Sequence, residues 1–274
     1  PIWHIRRKGI DFREGAELLA VGARIGPAQL ALALAAGRAH VAVRRPPRIV
    51  VIDSGDELCE DPGRCAVDQI PASNGAMLAG LIKAALPCTV TRIGPVPDRL
   101  EALLEALDAA KAADVIVTSG GASVGDHDLV RPALEAWGAE IDFWKVAIKP
   151  GKPIMVARRG AQLVVGLPGN PVSSHVTAYL FVLPLLRAML GAAAPLSRPI
   201  KALAAEDLAP GGPRQEFLRA WWDGETVTVR LNQDSGALGT LAASNALVDR
   251  PVDAPALPAG TTVSVYLLEN GGNA

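Results

Sequence analysis

Arg99 to Gly121 reads RLEALLEALDAAKAADVIVTSGG and carries a helix, a strand and a turn in one pass. Leu100, Leu103, Leu104 and Leu107 fall on one face of an amphipathic helix over Arg99 to Ala113. Asp114 to Thr118 (DVIVT) then switches to a short β-branched strand that runs into Ser119-Gly120-Gly121. The same unit recurs on either side. Arg48 to Asp53 (RIVVID) is an apolar strand ending at Ser54-Gly55, Asn74 to Leu86 is helical, and Cys88 to Ile93 (CTVTRI) is a strand. Gln162 to Val165 is another strand, followed by Gly166-Leu167-Pro168-Gly169-Asn170-Pro171 and a helix starting near Ser173. Strands that are apolar throughout must be covered on both faces. These βα units therefore predict an α/β domain with a parallel or mixed sheet and helices on both faces. In such sheets ligands bind beyond the carboxyl ends of the strands, where the glycine-rich turns fall.

Downstream the pattern changes. Thr226 to Leu231 (TVTVRL) and Thr262 to Leu267 (TVSVYL) alternate polar and apolar residues, and Asp223-Gly224 signals a hairpin turn after Trp221-Trp222. Prolines at 210, 213, 251, 255 and 258 punctuate the rest, which predicts a small all-β, barrel-like domain. Upstream, a proline at the start of Pro27 to Gly37 and a glycine just past its end bracket one short apolar helix. Arg44-Arg45-Pro46-Pro47-Arg48 follows as a stiff, solvated crossover. The division is residues 1–47 as an N-terminal piece with its linker, 48–194 as the α/β domain and 195–274 as the barrel domain. The first piece is too small to bury its own core, and the chain starts at Pro1, so loss of an upstream region is expected.

Of the 274 residues, 27 are Lys or Arg and 28 are Asp or Glu, which excludes nucleic-acid binding through global positive charge. Half the residues are hydrophobic and 20% are charged, a globular composition, while only 4% are aromatic, so the core is built from Ala, Val, Leu and Ile. Cys59, Cys65 and Cys88 have no zinc-ligand spacing and read as reduced structural thiols, which suits the cytoplasm. Val176 to Leu186 is apolar but only eleven residues long, too short to span a bilayer, and reads as a buried helix; no membrane association is expected.

Four segments carry chemistry. Thr118 to Asp128 (TSGGASVGDHD) packs three glycines into six positions, so its N–H groups can converge on a phosphate, with the following acids near a cation. It also reads as a tight loop in which Asp128 caps the next helix. Gly166 to Ser174 opens a helix, and its serines read either as anion donors or as a plain N-cap. Lys145, Lys149 and Lys152 are three of only seven lysines, and Lys149-Pro150-Gly151-Lys152-Pro153 holds two ammonium groups on a stiff turn suited to a tetrahedral dianion. Gly55-Asp56-Glu57-Leu58 places Glu57 at the same sheet edge as Asp128, a pair able to clamp Mg²⁺. Asp98 is a third acid at such an edge, although it reads better as the N-cap of the helix beginning at Arg99.

These motifs, in this order and spacing, resemble the molybdopterin molybdenumtransferases of the MoeA family, which is similar to the insertase domain of gephyrin. The resemblance covers nearly the whole chain. It implies insertion of molybdate into the dithiolene of adenylylated molybdopterin, with release of AMP. It implies Mg²⁺ held by Glu57 and Asp128, with Lys149, Lys152 and Asp128 as the catalytic residues. It implies a molybdate pocket of Lys149, Lys152, Ser173, Arg214 and Ser235. Nucleotide phosphates would meet Ser54, Gly55, Gly120, Gly121, Ser123, Gly169 and Asn170, with Asp98 as a further substrate-site acid. A homodimer is implied for the full-length family form.

Two departures stand out. Asp53 lies where the family usually has a hydroxyl residue, and a carboxylate there weakens phosphate binding unless it points away. Ala72 replaces a common acid before Ser73-Asn74. The alternatives are a molybdopterin adenylyltransferase, which lacks the barrel and the Lys-Pro-Gly-Lys-Pro turn, and a non-catalytic molybdopterin-binding scaffold, which does not need the full set of charged residues.

Overall fold

The computed structural model describes residues 7–120 and 129–268. α1 (Pro27–Ala35) ends as its sequence dictates: Gly37, at φ 76°, lets the N–H groups of Gly37 and Arg38 reach the carbonyls of Leu34 and Ala33. The crossover then delivers the chain to β1 (Arg48–Ser54). β2 (Leu58–Cys59) and β3 (Ile70–Pro71) make a small parallel pair in the loop beyond it. α2 (Asn74–Ala85), β4 (Thr89–Val96), α3 (Leu100–Ala109) and β5 (Val115–Ser119) follow. Past residue 128 come α4 (Val130–Ala136), β6 (Glu140–Trp144), β7 (Ile148–Lys149), β8 (Met155–Arg159) and β9 (Gln162–Leu167). A continuous helix completes this half, made of α5 (Pro171–Thr177), a π turn (Ala178–Val182) and α6 (Leu183–Met189).

The sheet order is β4-β1-β5-β9-β8-β6; the first four strands run parallel and β8 runs antiparallel to both its neighbours. It is the mixed sheet that the βα repeat predicts. Alternate residues serve opposite faces. Val115 and Val117 pack with Leu78, Ile82, Val172 and Val176 of α2 and α5, while Ile116 packs with Leu103, Leu107 and Leu134 of α3 and α4. Burying Leu103 and Leu107 contributes roughly 2 kcal/mol each, more than any propensity term in that helix. Pro184 lacks the N–H that a continuous helix needs, and the π turn directly before it absorbs the fault. Pro171–Met189 is long and apolar enough to cross a membrane, yet 67% of its apolar window is buried inside the protein, so it is a core helix.

β10 (Ile200–Ala204), β11 (Gln215–Trp222), β12 (Thr226–Val229), α7 (Leu238–Ala242), β13 (Ala246–Arg250) and β14 (Thr262–Leu267) form the second half. Five strands run β12-β10-β14-β13-β11, and pairing of β11 with β12 closes them into a barrel. Its interior is Ala202, Ala204, Ala220, Ala246, Val227, Val248, Val263 and Val265, which is how a small barrel fills with few aromatics. One connection lies outside the sequence expectation: β7, which precedes β8 of the α/β sheet, pairs instead with β11 of the barrel.

All three cysteines are free, and the Cys65 thiol is pushed up to about 11, first by its hydrogen bond with Cys59.

The arginine-rich crossover is anchored rather than merely solvated. Both oxygens of Asp114 accept from Arg45 (3.1 and 3.0 Å) and from Arg48 (3.3 and 3.2 Å), and the Arg48 N–H donates to the same carboxylate at 2.7 Å. These bonds hold the Asp114 carboxyl well below the usual carboxylate range, Arg48 contributing most. Asp114→Asn should lower stability by only about 1 kcal/mol at pH 7, because both arginines are more than half exposed and water screens them. A depressed folded pKa gives stability above the ordinary carboxylate value near ~4 and loses it as pH falls further. The gap between wild type and Asp114→Asn should accordingly narrow from about pH 4 to pH 2 in urea titrations. Identical unfolding curves at pH 7 would show that the crossover is not anchored.

Candidate functional site

The carboxyl ends of β1, β5 and β9 open side by side, and each runs into a turn with little or no side chain. Gly120, at φ 100°, must be glycine, since a Cβ there would stand 2.5 Å from the Ser54 carbonyl oxygen. Gly169 lies beside it: a Cβ on Gly169 would stand 3.6 Å from the Gly120 Cα, an ordinary contact. Ser54 is buried, and its hydroxyl has no partner among the described residues. The turns are tied together by a residue that sequence reasoning did not assign. Asn74, at the start of α2, donates through Nδ2 to Ser119 Oγ (2.9 Å) and to the Gly169 carbonyl (2.7 Å), while Ser119 and Ser174 hydroxyls lie 3.5 Å apart. An asparagine opening a helix reads as a cap, which hid it. Ser54, Gly55, Gly120, Gly169 and Asn170 are thus brought together; Gly121, Ser123 and Asp128 lie outside the described residues.

Asp53 does not face this cleft. Its side chain is 3% exposed, sits 3.7 Å from the Arg92 guanidinium and fills the space where Gly75 would otherwise carry a Cβ. Burial pushes its pKa up, with Arg92 and the Gly75 N–H pulling the other way. The carboxylate is therefore accommodated by burial against Gly75 at the start of α2, facing Arg92.

Acidic groups gather at the β1 and β4 ends. The Glu57 carboxylate folds back over Gly55, where a Cβ would meet its oxygens at 2.6 and 2.8 Å. Asp98 does not cap α3: that helix starts without a side-chain cap, and the Asp98 N–H donates instead to Asp56 Oδ1 at 3.0 Å. The Asp98 carboxyl is raised by burial and then by the negative charges of Asp56 and Glu57. Similarly, neither Ser173 nor Ser174 is an N-cap. Asn170 holds that place, so both serines fall inside the first turn of α5 and are buried.

Two further segments, one following β7 and one from the barrel, pack against α5. The Lys149–Lys152 turn comes from β7, and Gly151, at φ 105°, lets its backbone press onto α5, where a Cβ would collide with the Thr177 methyl group and lie 3.7 Å from the Ser173 carbonyl. The barrel supplies Arg214, whose Nη1 donates to the Ile148 carbonyl at 3.3 Å. It also supplies Ser235, whose carbonyl accepts from the Val172 N–H (3.1 Å) and whose Oγ accepts from Asn170 Nδ2 (2.8 Å). Lys149 is paired with Glu216 at 2.9 Å, a partner absent from the sequence reading, whereas Lys152 is exposed and has no acid partner among the described residues. Ser235 is thus seated on the start of α5 beside Ser173, Gly151 of the lysine turn packs on the same helix, and Arg214 is bound to the strand that leads into that turn. Chemically, the arrangement offers cations and hydroxyls to a compact anion beside backbone turns that suit phosphates.

Comparison with known proteins agrees with this architecture. Residues 50–188 match the family of probable molybdopterin binding domains, and residues 201–268 match the MoeA C-terminal region, domain IV. Molybdopterin molybdenumtransferase 2 of Mycobacterium tuberculosis is 37% identical over 97% of this chain and 67% of its own length. The molybdopterin molybdenumtransferase of Haemophilus influenzae is 36% identical over 81% of this chain and 55% of its own length. The chain thus spans between about half and two thirds of these curated relatives. A crystal structure of a molybdopterin biosynthesis MoeA protein from Pyrococcus horikoshii superposes with a TM-score of 0.82 at 31% identity, over 96% of this chain and 64% of that one. With the α/β half and the barrel each matched in turn, and with such identity to full relatives, the chain belongs to the MoeA family of molybdopterin molybdenumtransferases.

Proposed function

We propose that this chain carries the site at which molybdate is inserted into the dithiolene of adenylylated molybdopterin, with release of AMP. The observation behind this reading is that the Lys149–Lys152 turn packs on α5 through Gly151, while the barrel's Ser235 binds Asn170 and the Val172 N–H at the start of the same helix beside Ser173. Arg214 binds the Ile148 carbonyl just before the turn. Molybdate is a small tetrahedral dianion, and cations with hydroxyl donors on rigid turns are what hold one. Drawing charge off its oxygens makes molybdenum more open to the two sulfurs. As both Mo–S bonds form, the two thiol protons and one oxide leave as water. The turns after β1, β5 and β9 lie beside this pocket and suit the nucleotide end, whose pyrophosphate takes up water to free AMP.

Mg²⁺ belongs to this reading. Glu57 folds over Gly55 at the β1 end, and the Asp98 carboxyl, raised first by burial and then by the charges of Asp56 and Glu57, lies by the same end. Glu57, with Asp128, would hold the ion, which neutralises phosphate charge when bound. The family homodimer is also part of it, supported by Leu30 and Leu34, which α1 leaves exposed at 54% and 58%. The adenylyltransferase reading is weaker, since it gives no task to Arg214 and Ser235 beside α5.

The two lysines should separate by phenotype. Lys152→Ala should abolish molybdate-dependent AMP release while leaving the melting temperature unchanged. Lys149→Ala should lose activity and also about 1 kcal/mol of stability, because it strands the mostly buried Glu216 carboxylate. Full activity of Lys152→Ala would take the molybdate assignment down. For the metal, Glu57→Gln should raise the Mg²⁺ concentration for half-maximal turnover by about tenfold, the loss of one charged oxygen ligand. An unchanged Mg²⁺ titration would remove Glu57 from that role.

A further inference from the structure

Arg219 lies on β11 and is fully buried, and the pocket described above gives it no task. Strand alternation puts it on the same face as Phe217, and its register partner on β13 is Leu247. Both neighbours belong to the apolar cluster that also holds Val172 and Val176 of α5, so Arg219 faces the junction of barrel and helix. Its Nη2 donates to the carbonyls of Asn232 (3.1 Å) and Asp234 (3.0 Å). Nε and Nη1 have no acceptor among the described residues. A buried guanidinium with unused donors is costly, and an aliphatic side chain would ordinarily be the more stable occupant. Stability alone therefore does not account for it.

What Arg219 holds is the loop that carries Ser235. Gln233 completes the clamp: the Arg219 N–H donates to Gln233 Oε1 (3.0 Å), and Gln233 Nε2 donates to the carbonyls of Arg219 (2.9 Å) and Arg230 (2.7 Å). The far side of the loop rests on α5 through Asn170 and the Val172 N–H. The Asp234 carbonyl and the Ser235 N–H are the two ends of one peptide unit. A charge-assisted bond at the oxygen fixes that plane and strengthens the N–H as a donor. The Ser235 N–H has no acceptor among the described residues, so both it and the hydroxyl can be offered to an anion.

We propose that Arg219 is a positioning residue for the molybdate pocket, holding the Asp234–Ser235 peptide so that Ser235 presents its N–H and hydroxyl beside α5. The proposal rests on the molybdate-insertion reading and adds to it a residue that never touches the substrate. Arg219→Lys, which reaches one carbonyl at a time, and Arg219→Met, which fills the volume without donors, should be compared with wild type in the full chain. Both should raise the KM for molybdate by about tenfold, the loss of a charge-assisted bond, with the KM for adenylylated molybdopterin within about twofold. Amide hydrogen exchange over residues 232–236 should quicken in both, and Arg219→Met should melt no lower than wild type. A variant that melts lower but keeps the wild-type KM for molybdate and wild-type exchange of that loop would reduce Arg219 to a structural residue and overturn the proposal. Should Arg219→Met not fold, Arg219→Lys carries the same comparison. Wild type that releases no AMP on addition of molybdate would instead sink the insertion reading, and loop exchange would still show whether Arg219 holds the peptide.

Discussion

Ile148 and Lys149 pair with Gln215 and Glu216 across the boundary between the α/β sheet and the barrel, and what the site shares between its halves depends on that contact. Two residues of strand make few hydrogen bonds, each with a net contribution near ~1 kcal/mol, which is too little to hold two domains in register. Aromatic packing supplies the remainder. Tyr179 of the core helix meets Tyr266 edge-on at 6.4 Å, Phe217 lies 6.0 Å from Tyr266, and the Tyr179 hydroxyl donates to the Leu267 carbonyl at 2.9 Å. The chain has only two tyrosines and four phenylalanines, and both tyrosines are used here. Scarce aromatic area is placed where small aliphatic residues could not lock a junction.

With the junction locked, backbone proximity does the rest. Gly120 allows β5 to end against the Ser54 carbonyl, and Gly151 allows the lysine turn to lie on α5. Both positions have positive φ, so a side chain would strain the backbone as well as fill the gap. A site assembled this way gets its geometry from main chain and helix rather than from long flexible side chains. That suits recognition of a rigid inorganic anion and a pyrophosphate, neither of which adapts to its host.

How much of this is legible in sequence follows from range. Four strands and three helices of the α/β half declare themselves through β-branched runs and leucine spacing, which are local, and a barrel-like domain through alternation around Asp223-Gly224. By contrast, α4, β6 and β8 carry no such pattern, and the closure of the barrel depends on a pairing between distant strands, β10 with β14. The cationic and hydroxyl residues are legible as motifs. Pairings between distant segments are not. β7 is two residues in a proline-rich turn and has no period to read. Asp98 reads as a cap because an acid often precedes a helix, whereas its N–H partner, Asp56, arrives from another strand end. Nothing in the sequence marks Arg219, since alternation along a strand shows which face a residue takes but not that a helix and loop cover that face.

The net charge of −1 conceals how the cations are managed. Lys149 and Lys152 sit three residues apart on one turn, Arg214 binds the Ile148 carbonyl beside it, and Arg219 adds a buried charge in the adjoining barrel strand. Glu216 offsets part of this. It comes from the barrel strand and binds Lys149 at 2.9 Å, with its own carboxylate mostly buried and the lysine half exposed. On the proposed reading, a dianion would have to draw Lys149 from Glu216 or share it, whereas Lys152 has no acid partner among the described residues and would take the larger part in capture. Lys149 would then link the anion to the barrel strand, so that filling the site and seating the barrel on the α/β sheet would act through the same ammonium group.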